Sequence, residues 1–257
     1  MSPKAHLPDR IVLAITGDEA TSFLDGLFTA NIGALAEGAA THAALLTPQG
    51  KVLSAFFVWR TAEGVLIDAL ENDAAALTAK LKLYKLRAAV TLEERLDLSV
   101  LTGDGPPDPR DPALGGRMIA EDSADLPADD DYHRRRIEAG VPEFGFDYGP
   151  GEVFAMDVNL DRLGAVNYRK GCFVGQEVAS RMFRKGEVRK RSWRVTAEAA
   201  LTKGAALTAA GSTLGEVTSA DGRIGIARLR IDRAQAAEGP FLADGAPVTL
   251  TPPGHLA

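Results

Sequence analysis

Two spacings of apolar residues alternate along this chain. The unbroken run Ile11-Val12-Leu13-Ala14-Ile15 predicts a strand that ends at Thr16-Gly17. Behind it, Ala20, Phe23, Leu24 and Leu27 recur at helical spacing, with Asp18 as the expected cap. A short strand over 43–46 closes in the turn Thr47-Pro48-Gln49-Gly50. Residues 52–59 and 65–68 predict a hairpin around Ala62-Glu63-Gly64. Asp73 is placed to cap a second helix with Leu77, Leu81 and Tyr84 on one face. Residues 90–92 and 98–101 return to strand character. Strand–helix–strand–strand–helix–strand order predicts an α+β layer.

Beyond it the pattern changes. Residues 103–112, rich in Gly, Pro and Asp, predict a loop or linker. An acidic run over 121–131 precedes Arg134-Arg135-Arg136, and the paired charges read as a solvated helix start. From Ser192 onward the apolar runs are short: 193–196, 213–218, 223–228 and 247–250, separated by Gly-containing turns. These predict a small β-barrel or sandwich. The expected division is 1–191 and 192–257, with a sub-domain split of the first part near 103–130 as an alternative.

Composition narrows the function classes. The chain has 257 residues, 46% of them hydrophobic, and a net charge of −6, which argues against a general nucleic-acid binder. No apolar run reaches membrane-spanning length, and the N-terminal residues carry no hydrophobic signal core. The single cysteine, Cys172, excludes an intrachain disulfide framework and fits a reducing compartment. His6, His42, His133 and His255 show no ligand spacing, so no metal held by this chain alone is expected. Between Arg169 and Arg194 the charge inverts, with nine Lys/Arg against Glu177 and Glu187. A solvated face accounts for that patch as well as an anionic ligand or partner does.

Cys172 lies in Lys170-Gly171-Cys172-Phe173-Val174-Gly175-Gln176-Glu177. A cysteine acts as its thiolate, a form favoured by nearby cations and by a helix N-terminus. Arg169 and Lys170 supply cations, Gly175 permits a tight turn, and 176–183 predicts a helix behind it. The opposing reading, an inert buried cysteine, is the common fate of a free Cys.

The octapeptide, with Ala179-Ser180-Arg181 after it, resembles the Lys-Gly-Cys-aromatic-x-Gly-Gln-Glu signature of the YgfZ family, relatives of the glycine-cleavage aminomethyltransferase (T-protein). The likeness extends to Ile15-Thr16-Gly17-Asp18, to Phe23-Leu24-Asp25-Gly26 with Thr29-Ala30-Asn31-Ile32, to Thr47-Pro48-Gln49-Gly50-Lys51 and to 136–142. It implies a T-protein-like, folate-binding N-terminal region followed by a small β-barrel. The implied cofactor is tetrahydrofolate or a one-carbon derivative. The implied role is assembly or repair of iron–sulfur clusters, with effects on tRNA-modifying iron–sulfur enzymes. Carried over by position, Glu138 matches the T-protein folate glutamate and Tyr132 a folate-contacting aromatic. Asn31 lies in the N-terminal block, Arg169 and Lys170 are set to meet the glutamate tail, and Cys172 is the functional thiol. Arg10 stands where the family places a further aromatic.

The competing reading is a folate-dependent aminomethyltransferase or demethylase, which needs a positioned carboxylate. Asp68 and Asp73 are available, but neither sits in a catalytic signature. The expected partners are folate and iron–sulfur client or assembly proteins, with no membrane and no nucleic acid. The expected compartment is a bacterial cytoplasm, with the mitochondrial matrix as the alternative.

Overall fold

The structure is a computed structural model that describes residues 4–121, 125–186 and 188–257. Part of the acidic run, 122–124, and Glu187 of the basic patch lie outside the described residues. Along the chain, β1 (Ala5–His6) and β2 (Arg10–Thr16) precede α1 (Ala20–Asp25). Then come β3 (Ala40–Leu46), β4 (Val52–Thr61), β5 (Gly64–Leu70) and α2 (Glu71–Lys85). β6 (Thr91–Glu94), β7 (Leu98–Pro107) and β8 (Gly116–Glu121) lead to α3 (Tyr132–Ala139) and α4 (Gln176–Lys185). The last part holds β9 (Lys190–Ala197), β10 (Ala206–Ala209), β11 (Ser212–Asp221), β12 (Ile224–Arg230), α5 (Ile231–Ala236), β13 (Phe241–Ala243) and β14 (Ala246–Thr251).

The strands form a five-stranded sheet β3-β4-β5-β2-β6, a three-stranded sheet β1-β7-β8 and a closed six-stranded barrel β10-β11-β12-β9-β14-β13. The expected α+β fold with a small C-terminal β-barrel is the fold observed. Closure leaves the short barrel strands without a free edge.

Period-2 alternation gives the five-stranded sheet two different faces. Ile15, Phe56, Val58 and Ile67 point to one side and pack with Leu24 of α1 and Leu77 and Leu81 of α2. On β4 and β5, Phe57 and Asp68 lie opposite each other in register; His42 of β3 pairs with Phe57, and Val12 of β2 with Asp68. That second face looks towards the middle of the molecule and carries the polar chemistry described below.

Several local expectations change. Asp18 does not cap α1, whose N-cap is Glu19, and Leu27 lies past its end. Asp73 sits inside the first turn of α2 and accepts a hydrogen bond from Ser54 Oγ. The tertiary partner has displaced the capping role. Residues 103–112 are not a linker: β7 runs to Pro107 through a register shift and pairs with β8. A bulge absorbs the Gly and Pro residues that locally signal a loop.

The turn at 47–51 packs against the start of α4, so glycine is required on both sides. Gly175 has φ +80°, and a Cβ there would lie 2.5 Å from the Thr47 carbonyl oxygen. Gly50 has φ +81°, and a Cβ there would lie 2.9 Å from the Val178 side chain. Gly175→Ala is expected to cost about 1–3 kcal/mol through left-handed strain and the backbone clash. Urea unfolding measures it, and a variant as stable as the parent would show that the turn yields freely.

Candidate functional site

The residue types singled out in the sequence fall into three places, built by different forces. The first is a buried ionic network on the second face of the sheet. Glu143 accepts hydrogen bonds from Arg10 Nη1 (3.2 Å), Arg110 Nη1 (3.2 Å) and the Tyr132 hydroxyl (2.7 Å). Asp68 takes Arg10 Nε at 2.6 Å and Arg117 Nε at 2.7 Å. Asp108 holds Arg110 through two bonds of 2.9 and 3.0 Å. Tyr132 and Arg136 share one face of α3 at i, i+4 spacing, so the helix sends both inward. Arg136 Nη1 meets Asp147 at 2.6 Å, and the other Asp147 oxygen accepts from Thr218 Oγ1 of the barrel at 2.6 Å. The guanidinium of Arg117 lies 3.9 Å from the Phe57 ring centroid, adding a cation–π contact under the network.

Burial alone would push the Glu143 carboxyl up, but Arg110, Arg10, Arg136 and Arg117 outweigh it and hold the group well below the usual carboxylate range. His42 stays neutral: burial first, then the Arg110 charge, lower its pKa from 6.5 to about 3.

The second place is the cysteine loop. Asn167 Oδ1 accepts from the backbone N–H of Arg169 (2.9 Å) and Lys170 (3.1 Å), closing an Asx turn. The Lys170 side chain runs inward. Its ammonium donates to the carbonyls of Asp25 (2.6 Å), Phe28 (2.9 Å) and Ala30 (2.6 Å) and meets Asp25 Oδ1 at 3.0 Å. Burial, partly offset by Asp25, lowers its pKa. Phe173 is buried in the cluster with Leu46, Val52 and Val166. Between these two anchors Gly171 and Cys172 face solvent. Cys172 is thus exposed, where the opposing reading expects it buried. Lys170, expected beside the thiol or a folate tail, is instead the pin that holds the loop. Behind it, Gly175 opens α4, with Gln176 and Glu177 in its first turn and Arg181 on its exposed surface.

The third place is the solvent side of α3. Glu138 is half exposed and pairs with Arg134 at 3.1 Å, which in turn reaches Asp221 of the barrel. The five residues expected around a folate therefore do not gather into one pocket. Tyr132 is buried with its hydroxyl fully engaged, and Arg117 lies 5.7 Å from its ring centroid. Asn31 Oδ1 accepts from the Ala34 N–H, and Lys170 is spent on the 25–30 loop. Glu138 and the exposed Arg169 keep hydrogen-bonding capacity towards solvent, as does the Asn31 amide nitrogen, for which no bond is seen among the described residues. Arg10, in place of an aromatic, is a member of the ionic network.

Glu143 and Arg117 are not evident in the sequence because their partners are remote in the chain; Asp108 and Arg110 pair two residues apart, inside a stretch whose Gly and Pro residues signal a loop. Asn167 was readable: an Asx residue two and three positions ahead of the motif's cations is a turn signal.

The architecture, an α+β scaffold closed by a C-terminal barrel, is that of the aminomethyltransferase fold. Glycine cleavage system aminomethyltransferase T from Bartonella henselae superposes with a TM-score of 0.74 over 96% of this chain and 84% of its own, at 18% identity. Residues 189–257 match the CAF17 C-terminal beta-barrel domain. The chain is also 30% identical over 274 residues to the mouse mitochondrial iron–sulfur cluster assembly factor IBA57, covering 88% of this chain and 76% of the mouse protein. The human IBA57 protein is 29% identical over 95% of this chain and 82% of its own. The chain belongs to the IBA57 family. It spans about half, 51%, of the Neurospora crassa relative, at 30% identity over 72% of this chain.

The network sets an acid-sensitivity signature. Unfolded, His42 takes up a proton below about pH 6.5, so the folded state loses stability as pH falls from 6.5 towards 3. Glu143 adds stability above the ordinary carboxylate range, and this is lost as pH falls below it. His42→Phe is expected to flatten the fall in unfolding free energy below pH 6.5, measured by urea titration at successive pH values; an unchanged slope between about pH 6.5 and 5 would remove His42 from the account. Glu143→Gln is expected to cost about 3–5 kcal/mol by leaving buried arginines uncompensated.

Proposed function

We propose that this chain is an iron–sulfur cluster assembly factor with Cys172 as its working thiol. One observation carries the reading: the only cysteine is held out to solvent between two inward anchors, Lys170 and Phe173. Membership of the IBA57 family supports it, since those relatives bear the assembly role in their names. A single cysteine cannot hold a cluster by itself, so the remaining ligands come from a client or assembly partner, and the contact is transient. Among the described residues no helix is long and apolar enough to cross a membrane. The relatives are named as mitochondrial, which favours the matrix over a bacterial cytoplasm as the place of action.

Folate binding and an effect on tRNA-modifying iron–sulfur enzymes are finer parts of the proposal. Folate binding now rests on Glu138, half exposed beside the barrel, with Arg169 available for a carboxylate tail. The enzymatic alternative is favoured by one feature. Asp73 is pushed towards its protonated form by burial and bonded to Ser54, as a general acid or base requires.

Cys172→Ala is expected to lower iron–sulfur enzyme activity, tRNA-modifying enzymes included, in cells lacking the parent gene, while its unfolding midpoint stays unchanged. Full complementation by that variant makes the cysteine incidental. Calorimetry is expected to show tetrahydrofolate binding that Glu138→Ala weakens; absence of heat at about millimolar ligand removes the folate part. Steady, Asp73-dependent turnover of a methylamine donor with tetrahydrofolate would rank the enzyme reading first.

A further inference from the structure

The basic patch of 169–194 divides in the folded chain. Lys170 is spent on the 25–30 loop, and Arg191 is buried against Asp161 and the Met156 carbonyl. The rest of the charge is not dispersed over a solvated face. Arg181 and Lys185 of α4, with Arg189 and Lys190 leading into the barrel, line a cleft of about 420 Å³. Lys51, the end of the Thr47-Pro48-Gln49-Gly50-Lys51 turn, and Arg228 of β12 line it too.

Two of these cations are already committed. Lys51 Nζ donates to the Glu152 carbonyl at 2.8 Å and lies 4.4 Å from the Phe154 ring centroid. Arg228 holds Glu152 at 2.5 Å and Glu216 at 2.8 Å, and its buried Nη1 has no partner among the described residues. By contrast, Arg181, Lys185, Arg189 and Lys190 form no ion pair among the described residues. Among the described residues the acids that line the cleft, Glu152 and Asp157, do not balance them. Glu152 is engaged by Arg228, and Asp157 accepts from the Phe154 N–H, with burial raising its pKa. Phe154, Val153 and Met182 supply an apolar part of the wall.

We propose that this cleft binds a small phosphorylated metabolite carrying at least two phosphoryl groups. Four cations that form no ion pair among the described residues, set around one concavity, repel one another and focus a positive potential into it. An anion of two or more charges relieves that repulsion, whereas a single carboxylate leaves most of it. Arginine presents a fork that matches phosphoryl oxygens, and lysine adds a point charge. The volume lies within the range of small-molecule sites, and the apolar wall gives the non-phosphoryl part of a ligand a surface. A concave site in a chain of net charge −6 suits a compact anion better than a nucleic-acid backbone, which needs an extended basic track.

The test titrates the full chain with inorganic pyrophosphate, ADP and adenosine by calorimetry at low salt. Pyrophosphate and ADP are expected to bind and adenosine not, with tighter binding of ADP than pyrophosphate if the apolar wall is used. Lys185→Glu with Lys190→Glu is expected to weaken binding about tenfold or more, with the circular dichroism of the parent. Lys185→Gln with Lys190→Gln is the milder pair should the first not fold, and its loss is expected to have the same sign. Lys80→Glu on α2, outside the cleft, is expected to leave binding unchanged. No binding of pyrophosphate or ADP at about 5 mM, equal weakening by Lys80→Glu, or tighter binding of tRNA through the same two lysines would each overturn the proposal. The outcome is independent of the assembly role: it leaves the Cys172→Ala result unaffected either way.

Discussion

Burying the carboxylate of Glu143 costs several kcal/mol unless cations and donors surround it, and satisfying that requirement brings most of the molecule together. Arg10 comes from the five-stranded sheet and Arg117 from the three-stranded one. Arg110 comes from the connection between β7 and β8, and Tyr132 and Arg136 from α3. Through Asp147 the same network reaches Thr218, and through Arg136 it reaches Ser219, both on the barrel wall. Four arginines and four acids, Asp68, Asp108, Glu143 and Asp147, balance in charge. Such a network adds little net stability over well-packed apolar residues, but it penalises any arrangement that leaves one member unpaired. Its contribution is to fix how the sheets, α3 and the barrel meet.

A smaller version of the same logic shapes the cysteine loop. The Lys170 ammonium has three donors and finds three carbonyls and one carboxylate oxygen around it. That places Lys170 inside, and Phe173 three residues later is also inside, in an apolar cluster. The two residues between them have nowhere to go but outward. An exposed thiol on a loop pinned at both ends is held in place without being covered, as contact with a second protein demands. The motif's lysine thus acts on the thiol through geometry, and the cationic activation expected from its sequence neighbourhood loses its nearest donor.

Legibility in the sequence followed the range of the interaction. Strands such as β2 and β4 were readable because a sheet face writes itself as local apolar runs, and the barrel was readable from short runs between glycine turns. Cys172 stood out because it is alone. The cap failed at Asp73 because a tertiary contact, Ser54, competes with the helix end, and at Asp18 because α1 begins one residue later, with Glu19 at its N-cap. The expected folate residues are spread apart for a related reason. A glutamate and a tyrosine six residues apart look like neighbours, but they lie on opposite faces of α3: Tyr132 follows Arg136 inward while Glu138 follows Arg134 outward. Arg10 pairs with residues 58 and 133 positions away. No local window contains such a pairing.

Helix α4 joins the two exposed chemistries of the molecule. It begins four residues after Cys172, and its start is wedged against the 47–51 turn by Gly50 and Gly175. Gln176, Glu177 and Ser180 face the side shared with Tyr168 and Arg169, whereas Arg181, Met182 and Lys185 face the basic cleft. At 10 residues the helix is about 15 Å long. Lys51 closes the circuit, since the same turn that packs on α4 carries a cation into the cleft. The cleft, through Arg181 and Lys185, and the cysteine loop therefore have α4 as a common neighbour. Cys172 and the cleft are thus two sites on one support.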